Sequence, residues 1–170
     1  MPTRKPSRLL LLLGVALAAA CSDSSPSRAN DPDGAPVSTQ RFGDLTSPAV
    51  RAPTAATPLR LVITTPGGWQ QFWSERFAGQ LPMPPLPAVD FASEMVVAVS
   101  TGQKPSGGFS IRIESVAERG AELEAVVLET APGAACVVTG ALTHPFDVIR
   151  VPRANRTVRF VERQSTTNCG

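Results

Sequence analysis

Residues 95–129 read MVVAVSTGQKPSGGFSIRIESVAERGAELEAVVLE, and the pattern in this stretch decides the fold. Met95–Val99 is an uninterrupted apolar run, short enough for a strand and apolar enough to be buried on both faces. Phe109, Ile111 and Ile113 then alternate with Ser110, Arg112 and Glu114, the period-two signature of a strand with one wet face. Glu118-Arg119-Gly120-Ala121 reads as a turn, and Glu122–Glu129 returns with Leu123, Ala125 and Val127 on one side. Further out, Leu59–Ile63, Cys136–Val138, Phe146–Val151 and Val158–Val161 bring the total to about seven strands. One helix interrupts them. Thr64-Thr65-Pro66 offers a hydroxyl cap and a proline at the first helical position. Trp69, Phe72, Trp73 and Phe77 then recur along one helical face, with Gln70, Gln71, Ser74 and Glu75 elsewhere. Such a stripe is expected to seal one side of a sheet rather than to hold a sugar or peptide. The expectation is a mainly β domain, an antiparallel β-sandwich or partial barrel with one amphipathic helix.

Before the helix and after it, the chain is punctuated differently. Gln80–Val89 holds prolines at 82, 84, 85 and 87 and is expected to be an extended connection. Pro82–Pro85 fits the loose PxxP pattern, but an exported bacterial-type protein does not normally meet the domains that read it. At the start, Arg4, Lys5 and Arg8 precede the apolar run Leu9–Leu17 and then Ala18-Ala19-Ala20-Cys21. That order of basic, apolar and small residues is an export signal, too short to span a bilayer as a helix. A cysteine after the small residues resembles a bacterial lipoprotein box, in which the thiol is acylated and residues 1–20 are removed. Ala18 stands where that box usually has leucine, and the alternative is cleavage after Ala20 to give a secreted protein. Either way the mature chain works outside the cytoplasm: in the cell envelope, anchored to the membrane through Cys21 on the periplasmic or outer surface, or secreted.

Residues 21–39 contain breakers and little to bury, so they are expected to be a disordered tether reaching roughly 20–25 Å. The domain is expected to occupy 40–170. The leader carries three of the 16 basic residues and none of the 14 acidic ones, which leaves 13 against 14 in the mature chain. With Lys104 its one lysine, the mature chain lacks the clustered cations that nucleic acid requires. Once Cys21 is acylated, Cys136 and Cys169 remain, an even number in an oxidising compartment. Bridged, they would close a loop of about 34 residues, worth roughly 3–4 kcal/mol on the chain-entropy model; two free thiols are the alternative.

Chemistry is sparse. His144, the one histidine, precedes Pro145 and has no nucleophile-elbow or cysteine-protease signature to serve. It reads as a loop residue. One histidine and a pair of bridged cysteines leave zinc without a ligand set, and no cofactor motif is visible. Asp90 and Glu94, four apart, read as a cap on the turn Asp90–Ser93 rather than as paired acids. Lys104 near Ser106 lacks the S-x-x-K spacing of a dyad. The reading is therefore of a non-enzyme without metal or cofactor. The segment Lys104-Pro105-Ser106-Gly107-Gly108-Phe109 is the candidate partner-binding loop: stiff at Pro105, open to close backbone approach by a partner at the glycine pair, with an aromatic opening the next strand. A plain hairpin turn is the alternative.

The ordered set Trp69…Trp73, Val89-Asp90-Phe91…Glu94–Val99, Gly102…Lys104–Phe109, Pro132-Gly133…Cys136–Thr139 and Val151-Pro152-Arg153 resembles the C-terminal domain family of PrcB, a protease-complex subunit, over residues 60–161. Phe109 stands where that family usually has tyrosine, and Ser106 where threonine is common. The family's namesake is a lipoprotein that associates with and stabilises a surface subtilisin-like protease. The resemblance thus implies a non-catalytic module that binds an exported protein, a protease above all. The Pro-Ser-Gly-Gly-Phe loop is also somewhat similar to the loop that chagasin-type inhibitors insert into cysteine proteases. Inhibition is therefore an alternative, as is binding of a small molecule or envelope polymer.

Overall fold

The computed structural model describes residues 34–42 and 56–170. Among these residues the elements run β1 (Ala35–Pro36), β2 (Gln40–Arg41), β3 (Leu59–Ile63), α1 (Pro66–Arg76), β4 (Glu94–Ser100), β5 (Ser110–Arg119), β6 (Glu122–Pro132), β7 (Phe146–Pro152) and β8 (Thr157–Thr167). They form two four-stranded sheets, ordered β1-β5-β6-β8 and β2-β7-β4-β3. Neither sheet closes on itself, so of the two expected architectures the sandwich is the one found.

The unbroken apolar run of β4 has a direct cause. The strand pairs with β3 on one side and β7 on the other, and both of its faces are covered. Val96 and Ala98 pack against Trp69, Phe72 and Trp73 of the helix. Met95, Val97 and Val99 pack against Ile111, Ile113, Leu123 and Ala125 of the other sheet. The domain therefore has three layers: helix, sheet, sheet.

The helix begins as its sequence requires. Thr65 is extended and its hydroxyl accepts the Gly68 N–H at 3.2 Å, with Pro66 in the first turn. The aromatic stripe is core: Trp69 and Trp73 are each only 2 % exposed. Their indole N–H groups donate to the Pro87 and Pro84 carbonyls, both at 2.9 Å. Buried indoles need such acceptors, and here they tie the extended proline segment across the helix.

Four expectations need correction. Ala35 and Pro36, expected in the tether, pair with Glu118 and Ala117, and the Val37 N–H donates to Val116 O at 2.8 Å. A two-residue strand has too little length to show periodicity. Cys136–Val138 is not a strand but part of the loop between β6 and β7; its valines find no sheet partner, and Val137 is fully exposed. The last strand runs to Thr167 rather than Val161. It also lies parallel to β6, so the sheets are not wholly antiparallel. A parallel neighbour needs a crossover, and β7 supplies it by passing through the opposite sheet. The leader, the lipidation call at Cys21 and the tether up to residue 33 lie outside the described residues.

Between the sheets, a bulge at Glu114 shifts the β5–β6 register. The adjacent Ile113 N–H donates to Asp147 Oδ2 of β7 at 2.8 Å, and Asp147 also pairs with Arg41 of β2.

Candidate functional site

The candidate loop Lys104–Phe109 does not stand alone. It is braced along its length by the connection from Gly133 to Pro145, which joins β6 to β7. Lys104 N–H donates to Thr143 O at 2.8 Å, and Thr143 N–H returns a bond to Lys104 O at 3.1 Å. Gly107 N–H donates to Thr139 O at 2.9 Å, and the Thr143 hydroxyl donates to Ser106 O at 2.7 Å.

The glycine pair is used within the chain. A Cβ at Gly107 would sit 2.5 Å from Thr139 Oγ1. Gly108 has φ +83°, and a Cβ there would lie 2.9 Å from Val138 Cγ1 and 3.0 Å from the Pro132 side chain. Gly108 needs glycine so that the second loop can close on the first, and a side chain at Gly107 would have to displace the Thr139 hydroxyl. The expectation that these glycines leave room for a partner is thereby revised: the chain's own neighbouring loop fills that room.

Side chains and a disulfide fix the rest. Lys104 Nζ pairs with Glu129 of β6 and stands 5.3 Å from the centre of the half-buried Phe109 ring. Cys136 and Cys169 form a disulfide with Cα atoms 4.9 Å apart, tying the second loop to the segment after β8. Gly133 N–H reinforces that tie, donating to Thr167 O at 2.9 Å. What the two loops show to solvent is apolar: Val137 and Leu142 stand out, Leu142 at 60 % exposure, with Val138 beside them. A groove of about 250 Å³ runs between the loops, with Phe109, Ile111, Pro145 and Phe146 among its walls.

The titratable candidates Asp90, Glu94 and Lys104 are engaged in local contacts. His144 lines the groove, and burial, then the charge of Arg76, holds its pKa below the usual imidazole value. Asp90 accepts from Ser93 Oγ at 2.7 Å and Ala92 N at 3.1 Å, which keep its carboxyl below the usual carboxylate range. Glu94 accepts from Asp90 N and pairs with Arg150. Ser106 Oγ donates to Gly107 O at 3.1 Å, and Lys104 is engaged by Glu129, so the two are not assembled as a dyad.

Sequence reasoning placed the first loop and the cysteine pair but missed Val137 and Leu142, because Val137-Val138 looked like strand. It also passed over Arg76. That residue follows Trp69, Phe72 and Trp73 at helical spacing, which was the available sign that it would be buried.

A sandwich of two open sheets with one covering helix and a braced two-loop end is the class these features define. Residues 95–152 match the family model described as PrcB C-terminal, and the resemblance is thereby shown over that span. The match runs from β4 to β7 and so contains both loops. Neither the curated proteins nor the solved structures include a match to this chain.

Proposed function

We propose that this chain is a non-catalytic envelope lipoprotein that binds and stabilises an exported protein, a protease in the first instance. The observation that carries the reading is the two-loop end. It lies inside the span matched to the PrcB C-terminal family, it is braced by hydrogen bonds and a disulfide, and it exposes Val137, Val138 and Leu142 on one loop. Loops already held by hydrogen bonds and a disulfide lose little freedom on association, so more of the contact energy remains as affinity. Anchoring through an acylated Cys21 fits an exported chain, since two or more acyl chains hold stably where one is marginal.

Crosslinking the full-length protein in its own membranes, followed by identification of what is joined to it, tests this reading. The expected product is an adduct with an exported protease whose lifetime shortens when this chain is removed. An adduct with envelope polymer alone would contradict it. Slowing of a cysteine protease by the purified domain would instead favour inhibition. Cys21→Ala should release the protein from membranes; a variant that partitions like wild type would contradict the anchor.

A further inference from the structure

Arg76, at the last turn of α1, is 6 % exposed and pairs with no carboxylate among the described residues. Its Nη2 donates to His144 O at 2.6 Å, its guanidinium lies 4.0 Å from the centre of the Phe146 ring, and its Nε is buried without an acceptor. A guanidinium keeps its charge at neutral pH even here, where burial lowers its pKa to about 10. Unpaired buried cations are costly, so proteins rarely keep one without a counter-ion.

The same residue lines a cavity of about 220 Å³ whose walls are Leu59, Phe72, Val99 and Phe146, with Thr57 and Ser100 as its small polar groups. Glu75 is at the rim, where its Oε1 accepts from Gln71, and it does not pair with Arg76. The cavity continues along β3, in a second groove between that strand and α1 lined by Leu61, Ile63 and Gln71. Among the described residues β3 is the last strand of its sheet, bonded to β4 alone, so every second residue turns its N–H and C=O outward, with Leu59 O already accepting from Arg60 Nη1 at 2.7 Å.

We infer that this groove binds an extended apolar peptide segment as an added strand on β3, with a carboxylate of that peptide seated on Arg76. Strand addition supplies backbone hydrogen bonds, the apolar walls accept alternate side chains, and the acid completes the missing ion pair. The carboxylate is a peptide C-terminus or an Asp or Glu side chain. Arg76 and β3 lie outside residues 95–152, while His144 O and the Phe146 ring, which Arg76 touches, also line the groove of the two-loop end.

The test uses the full chain, labelled with ¹⁵N, and three probes: acetyl-Val-Val-Leu with a free carboxylate, the same peptide amidated, and amidated acetyl-Val-Asp-Val. At least one acidic probe should bind about tenfold more tightly than the amidated apolar peptide, shift the Arg76 Nε–H signal, and move the amides of Leu59, Leu61 and Ile63. Whichever acidic probe binds more tightly identifies the source of the carboxylate. Arg76→Met should erase the preference for acid. Equal binding of acid and amide by the wild-type chain, or no binding of either acidic probe at millimolar concentration, overturns the inference without reference to the variant. An acid preference that survives in folded Arg76→Met overturns it as well.

Discussion

Beneath α1, a run of aromatic rings holds the domain together: Phe42 on Trp69 at 5.2 Å, Trp69 on Trp73 at 5.2 Å, and Trp73 on Phe77 at 4.4 Å. At the two-loop end no comparable core exists. There, paired backbone hydrogen bonds, the Cys136–Cys169 bridge and the Lys104–Glu129 ion pair fix the shape while Val137 and Leu142 stay in solvent. One region gains its order by hiding side chains and the other by cross-linking backbone. Order at a protein surface therefore does not require that its apolar side chains be spent on packing. Changes under the helix, and changes to the cross-links of the loops, should therefore act through folding, and changes to the exposed Val137 and Leu142 side chains through association.

Trp69→Ala should produce the largest effect, a loss of about 3–5 kcal/mol, since it empties a buried site and leaves the Pro87 carbonyl without its donor. The urea midpoint measures it. An unchanged midpoint together with loss of a bound peptide or sugar would break the comparison by making the buried Trp69 face, rather than only the groove beside β3, a ligand platform. Replacing both Cys136 and Cys169 with serine should cost up to about 3–4 kcal/mol through loop closure. Two alkylatable thiols in freshly exported protein, seen by mass without reduction, would show that the bridge does not form.

Gly108→Val sharpens the contrast from the loop side. At φ +83°, with Val138 and Pro132 in the way, the variant should lose about 1–3 kcal/mol from backbone strain alone. Gly120→Ala has the same sign of φ but meets no neighbouring atom, so it serves as the strain control. If both variants melt alike, closure of the second loop onto the first contributes nothing. Lys104→Met should cost less, within about 1 kcal/mol, because a partly exposed ion pair and one cation–π contact are all that it removes. A larger loss would mean that the Lys104–Glu129 pair, rather than the disulfide and backbone, sets the loop.

Much of this architecture was legible in the residues. Met95–Val99 showed a doubly buried strand because each face of β4 meets an apolar layer, and the alternation in 109–114 showed one wet face because β5 has one. The cap at Thr65 and the stripe from Trp69 to Phe77 were likewise local signals. What escaped depended on pairing at a distance. β1 and β2 are two residues each, too short for a period. The direction of β8 is set by the crossover through β7 and leaves no mark within its own residues. The loop site was half visible: the glycine pair announced close approach, but the approaching atoms belong to Thr139 and Val138 of the same chain.

Val137→Asp combined with Leu142→Asp tests the central claim most directly, because both side chains are exposed and outside the core. The double variant should melt within about 0.5 kcal/mol of wild type, as surface changes usually do. Crosslinking in membranes should then recover the proposed exported partner far less often with the variant than with the wild-type chain. Equal recovery by the folded variant would contradict the account and place the binding face elsewhere on the domain.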